Sequence, residues 1–100
     1  MLTLKKPIAF EWDQGNIDKN YASHSIGTHQ AEEPFVDPHL IFLPDPKHSR
    51  TEKRYLGIGV TKDKITLLVA FTLRGTNVRI ISARPANKKE RNVYEKQKNA

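Results

Sequence analysis

The chain has no cysteine in its 100 residues. A disulfide scaffold, a thiol nucleophile and a thiolate zinc site are thereby excluded. No apolar run approaches the roughly 20 residues that span a bilayer. The N-terminal Met1-Leu2-Thr3-Leu4-Lys5-Lys6-Pro7 is basic, but it lacks the long apolar core and small-residue cleavage site of a secretion signal. A cytoplasmic protein that does not engage membranes is expected. Internal repeats and low-complexity tracts are absent as well. Glycine is sparse, and Gly57-Ile58-Gly59 lies inside an apolar run with no helix after it, so it is no dinucleotide fingerprint and no cofactor is expected. Glycine there fits a bulge or the close approach of another backbone.

The length suits one domain, residues 1–100, with a single two-layer core. With 37% apolar and 28% charged residues the balance is that of a globular protein, which excludes wholesale disorder. The charge is unevenly placed. Residues 1–50 hold five basic and seven acidic side chains, whereas residues 51–100 hold twelve and four. A basic half points to a polyanion such as RNA or DNA, or to an acidic protein partner. A soluble basic surface without a ligand accounts for composition alone equally well.

Ile8 to Trp12 reads as a short strand. Asp13 can cap a helix running to about His24, with Ile17 and Tyr21 on one face. Gly27 is expected in the left-handed region as the stop. Thr28 then caps a second short helix through Glu33, ended by Pro34. Strands are expected at Phe35–Val36 and His39–Leu43. After the Pro-flanked loop 44–50 come three strands in close order, Arg54–Thr61, Ile65–Leu73 and Val78–Arg84, joined by hairpin-length turns. Asn87 and Glu90 form a capping box for a polar helix from about Lys88 to Lys98. The order β-α-α-β-β-β-β-α predicts an α+β fold, with helices packed on one face of an antiparallel sheet.

Arginines are the first candidates for chemistry. Strict alternation puts Arg79, Ile81 and Ala83 on one face of the last strand and Val78, Ile80, Ser82 and Arg84 on the other. Arg54 opens the first strand of the meander and Arg74 closes the second. Guanidinium forks match phosphate geometry and can neutralise charge growing on a transferring phosphate. Taken singly, each arginine fits a solvated strand end as well. His48 in the loop has the titration range for acid–base work on a ribose 2′-OH, though a loop histidine is commonly a surface residue. Glu52, four residues on, can orient it or act as base. Lys88, Lys89 and Arg91 crowd the start of the last helix, against its dipole, a placement that an anion would explain. His24, His29 and His39 match no zinc spacing, so no metal is expected. Trp12 and Tyr55 fit the core better than a base-stacking role, whereas Tyr94 leaves the two open and, with Val93, gives the last helix only a thin apolar face.

In order along the chain stand Phe10-Glu11-Trp12-Asp13, Asn20, His24, Arg54-Tyr55, Gly59, Thr72-x-Arg74, Arg79-Ile80-Ile81-Ser82-Ala83-Arg84-x-Ala86, Glu90-Arg91 and Tyr94. This series resembles the BrnT toxins of bacterial type II toxin–antitoxin systems, over about residues 8–96. The resemblance implies a RelE/ParE-like fold and a ribonuclease that blocks translation and arrests growth. It also implies a BrnA antitoxin with a ribbon-helix-helix domain, through which alone operator DNA is reached. In this sequence Asn16, Ser23 and Lys53 replace a lysine, a lysine and an acid of the usual pattern. Those losses at the first helix leave the site to His48 and the strand arginines. The reading is a metal-independent endoribonuclease, with Arg54, Arg79 and Arg84 on the scissile phosphate, His48 and Glu52 handling protons, and Arg74, Lys88, Lys89 and Arg91 holding flanking RNA. Two alternatives use the same basic face: a non-catalytic module for an acidic protein, and a topoisomerase-directed toxin.

Overall fold

A computed structural model describes residues 9–48 and 52–100. The elements are β1 (Ala9–Trp12), α1 (Gln14–His24), α2 (Thr28–Glu32), a 3-10 turn (Glu33–Val36), β2 (Ile41–Pro44), a 3-10 turn (Pro46–His48), β3 (Arg54–Val60), β4 (Thr66–Arg74), β5 (Asn77–Pro85) and α3 (Lys88–Lys98). The fold is α+β, and the expected element order holds. Ile8, expected in the first strand, lies outside the described residues.

The sheet runs β1-β5-β4-β3-β2 and is mixed rather than antiparallel. Short connections force β2 to β5 into antiparallel neighbours. No short connection ties β1 to its neighbour, and it lies parallel to β5, with Glu11 opposite Arg79.

Helix ends follow local chemistry. The Asp13 carboxylate accepts from the Gly15 and Asn16 amides and starts α1. Ser25, not Gly27, takes the left-handed position at its end, with φ 57°. Gly27 is extended and precedes α2, where Thr28 is already helical rather than its cap. The expected strand at Phe35–Val36 is a 3-10 turn. Pro34, which has no N–H to give a ladder, sits in its first positions. Phe35 instead drives into the core, edge-on to Phe10 and Phe71 at 5.4 and 5.0 Å between ring centres.

The core lies on one face of the sheet. Tyr55, Leu67, Val69, Phe71, Val78, Ile80 and Ala83 meet Ile26, Ala31 and Phe35, with Phe10, Trp12 and Phe42 at the margin. Gly59 permits that closeness: a Cβ there would lie 2.9 Å from the Pro34 Cβ. The glycines of β3 thus serve close approach, since the β3–β4 register is unbroken.

The register breaks between β4 and β5. Ala70 faces Ser82, but Phe71 faces Ile80, so Ile81 is an extra residue on β5. This corrects the alternation expected there. Val78, Ile80 and Ala83 all reach the core, and Arg79 and Arg84 share the opposite face. Helices are not confined to one face either. α2 and the turn after it cover the core face. α1 packs by β5 and α3 by β3, and both border the second face. That face carries Leu56, Ile58 and Leu68, whose apolar surface draws partial cover.

Candidate active site on the second face of the sheet

Three cross-strand rows make up the middle of the second face. Ile41, Ile58, Leu68 and Arg84 form one. Leu43, Leu56, Ala70 and Ser82 form the next. Arg54, Thr72, Arg79 and Glu11 form the third. The face is therefore aliphatic towards β2 and charged towards β5 and β1.

Between α1 and the sheet lies a cleft of about 530 Å³. Its floor is Leu56, Leu68, Ala70 and Ser82, and Arg54 and Arg84 stand at its wall. Helix α1 contributes Asn16, Lys19, Ser23 and His24, and the loop after β2 contributes Asp45 and Lys47. Among the described residues, four cations and one carboxylate, Asp45, thus line the cleft around an apolar floor. The Asp45 amide donates to the Arg54 carbonyl at 2.7 Å, tying the loop to the start of β3.

Arg84 is held from behind. Its Nη1 and Nη2 donate to the two carboxylate oxygens of Glu90, both at 2.8 Å. Glu90 also accepts from the Asn87 amide while Asn87 accepts from the Glu90 amide, completing the expected capping box. The guanidinium hydrogen bonds hold the Glu90 carboxyl below its ordinary value, against the opposing effect of partial burial; the Asn87 amide adds to the lowering.

The remaining expected residues fall into different places. Arg79 lies in the charged row beyond the cleft, between Thr72 and Glu11. Arg74 is exposed and bound by carboxylates: Nε donates to Glu52 at 3.0 Å, and Nη1 lies 3.8 Å from Glu11. The Glu52 carboxyl sits below its ordinary value, chiefly through this Arg74 bond, with the charges of Arg74 and Arg79 assisting. A carboxylate so stabilised is a weak base. Lys88 is exposed, and Lys89 borders a separate apolar groove. Arg91 donates to the Ala86 carbonyl at 2.7 Å, and Glu90 supplies the negative charge in the first turn of α3. His48 closes the 3-10 turn beside Lys47, and its side chain lies outside the described residues. His39 borders a different hollow near Asp37 and Tyr94.

Sequence reasoning missed the contribution of α1. It took the lost lysines at positions 16 and 23 as putting that helix's part in the site in doubt, yet Lys19 and His24 are at the cleft. The signal was available as spacing: 16, 19 and 23 recur at i, i+3 and i+7 and so share a helix face.

A family model described as "Ribonuclease toxin, BrnT, of type II toxin-antitoxin system" matches residues 12–90. That span takes in every wall of the cleft. The chain belongs to the BrnT ribonuclease toxin family. Its structure is similar to the crystal structure of the Brucella abortus ribonuclease toxin BrnT, with a TM-score of 0.62 and 22% identity over 80% of this chain and 97% of that one. At this identity the likeness is one of fold. No curated protein gives a significant match. As a member of a type II toxin family, the BrnT-like chain has RNA as its substrate class and a cognate antitoxin as its partner.

Proposed function

We propose that this BrnT-family chain is a metal-independent endoribonuclease of the bacterial cytoplasm that cuts RNA within the cleft, blocks translation and is neutralised by a BrnA-like antitoxin. That antitoxin would carry a ribbon-helix-helix domain and would be the toxin's sole link to operator DNA. The supporting observation is the cleft itself, with Lys19, Lys47, Arg54 and Arg84 gathered over an apolar floor that accepts a base or ribose. Arg54 and Arg84 grip the scissile phosphate and offset the charge that develops as the 2′-oxygen attacks. Arg79, one row away, holds the next phosphate.

The proton carriers are histidines. His24 is at the cleft, and His48 ends the turn that brings Lys47 to it. One takes the 2′-OH proton and the other supplies a proton to the departing 5′-oxygen, leaving a cyclic phosphate and a 5′-hydroxyl. Glu52 and Arg74 neutralise each other and serve as an anchor for the charged row. Lys88 and Lys89 steer flanking phosphates, and Arg91 stiffens the start of α3.

The test is induction of the chain in a bacterial host, with total RNA examined soon afterwards, beside an Arg54→Ala, Arg84→Ala double variant. Growth arrest with RNA breakdown that the double variant lacks is the expected result. Arrest with intact RNA would overturn the reading and direct attention to a topoisomerase.

A further inference from the structure

Part of the molecule's positive charge lies away from the cleft. Lys62, Lys64 and Lys98 stand around a second hollow, of about 330 Å³. The turn between β3 and β4 supplies Lys62 and Lys64, and the last turn of α3 supplies Lys98. Glu33, Asp37, His39 and Tyr94 also line it.

Both carboxylates of this hollow are engaged by the fold. Asp37 accepts from the His39 and Val60 amides and from the Tyr94 hydroxyl. Glu33 accepts from the Lys62 amide at 3.0 Å. These donors are backbone amides and a buried phenol, not ammonium groups. The ion pairs among the described residues are those of Arg74 and Arg84. The heads of Lys62, Lys64 and Lys98, all at exposed positions, are thus left to solvent.

Lys64 carries a second sign. Its φ is 67°, in the left-handed region, where the β4–β5 turn has Gly75 at 63°. The turn is closed by hydrogen bonds from the Lys64 amide to the Thr61 carbonyl and from the Thr61 amide to the Ile65 carbonyl. A Cβ is disfavoured in that region, so glycine or asparagine would close the hairpin with less strain. A lysine at the strained position, beside two others, points to a use for its charge rather than to folding.

Strand β3 joins the two sites. Arg54, at the cleft, begins it, and Val60, at the hollow, ends it. Its 7 residues put those ends roughly 20 Å apart. A single nucleic-acid strand covers that distance in about six nucleotides at ~3.4 Å each. RNA is the family's substrate class, and a strand lying in the cleft carries a phosphate at every step beyond it. Ammonium groups suit such contacts, being point charges that hold a backbone without reading a base.

We infer that the hollow at the β3–β4 turn is a second phosphate-binding site, which holds the substrate RNA strand about six nucleotides from the cut. This rests on the proposed ribonuclease reading for the strand in the cleft and adds to it a preference for long RNA. The cleft performs the chemistry, and Lys62, Lys64 and Lys98 keep the strand from leaving.

The experiment compares the whole wild-type chain with a Lys62→Gln, Lys64→Asn, Lys98→Gln variant. Asparagine tolerates the left-handed region and the other two positions are exposed, so the variant is expected to fold, and a circular dichroism melt checks this. Binding is read by fluorescence anisotropy over a salt series, with 2′-O-methyl RNA of about thirty nucleotides, whose blocked 2′-oxygen prevents cutting. The slope of log affinity against log salt should become shallower by about 2, from roughly 0.7 for each lysine lost on a single strand. Cleavage is read on unmodified RNAs of about thirty and about four nucleotides, the second too short to reach the hollow. On the long RNA kcat/KM should fall about 10-fold or more through KM, and on the short RNA it should stay within about 2-fold. Lys64→Gly alone should melt no lower than wild type and still weaken long-RNA binding, which separates charge from folding. An unchanged salt slope would overturn the inference. Equal losses on the two RNAs would do so as well, since the lysines would then act on the cleft. Unchanged RNA binding with lost binding of polyglutamate would assign the hollow to an acidic protein instead. If the wild type cuts neither RNA and the slope still becomes shallower, the ribonuclease reading fails and the phosphate site stands.

Discussion

Arg84 and Glu90 meet in a two-pronged pair, with both nitrogen–oxygen distances 2.8 Å, and Glu90 caps α3 with the same carboxylate. The guanidinium that faces the cleft is therefore fixed by the helix that follows it. Glu90→Gln keeps an acceptor for the Asn87 amide and removes the charge. RNA cleavage is expected to fall about 10-fold or more, mostly in kcat, as Arg84 loses its fixed orientation. Single-turnover kinetics on a short RNA would measure this.

The same pair gives a stability profile with pH. Glu90 titrates below the ordinary 4.5 in the folded chain. Its contribution is fully present above that value and is lost as pH falls through the lower, folded-state value. The wild type should therefore melt higher than Glu90→Gln at about pH 7, and the difference should shrink towards about pH 3. Thermal melts at the two pH values check the sign.

Tyr94 anchors α3 from the other side. Its hydroxyl donates to Asp37 at 2.6 Å, and the same carboxylate oxygen accepts from the Val60 amide. Burial first, and then Asp37, push the phenol well above its ordinary value, so it stays a donor across the physiological range. Tyr94→Phe should cost about 1.5–3 kcal/mol, as expected for a lost hydrogen bond to a charged group. Urea unfolding would report it, with faster amide exchange in α3.

Gly59 offers a contrast with Gly27. An added methyl at Gly59 meets the Pro34 Cβ at 2.9 Å and its carbonyl oxygen at 3.1 Å, whereas one at Gly27 meets nothing within 4 Å. Gly59→Ala should destabilise by about 1–3 kcal/mol through overpacking. Gly27→Ala should stay within about 0.5 kcal/mol of wild type. Denaturant midpoints separate the two.

Among the cations, Arg54→Ala should lower the cleavage rate about 10²-fold, as for a lost transition-state donor. Arg74→Ala, which removes a group already neutralised by Glu52 and Glu11, should change it less than about 3-fold. Salt titrations of RNA binding should show a shallower slope for Lys19→Ala, which removes one cation from the cleft.

The meander, α1 and α3 were legible because their signals are local. Asp13 and the Asn87–Glu90 box mark helix starts, and two hairpin-length turns set the antiparallel strands. The family resemblance was legible because its residues are spread in order along most of the chain. Other features depend on partners distant in sequence. Nothing near Ala9–Trp12 says that it will lie parallel to β5. Phe35 looks like a strand residue until Phe10 and Phe71 are placed around it. The extra residue at Ile81 cannot be read from alternation, yet it decides which arginines share a face. Of the expected site, Arg54 and Arg84 reach the cleft, Arg79 and Arg74 stand in or beside the adjoining row, and α1 supplies side chains that only the tertiary arrangement brings in.

The parallel β1–β5 pairing carries a consequence for how the toxin comes into being. A chain is made from its N-terminus, and Ala9–Trp12 has no partner until Asn77–Ile80 exists. Helix α1, which packs by β5, is bound to wait with it. The cleft thus has no lasting walls until β5 is made, and Glu90 arrives later still to steady Arg84. A chain that stops before β5 lacks the basic cleft that the whole sheet builds.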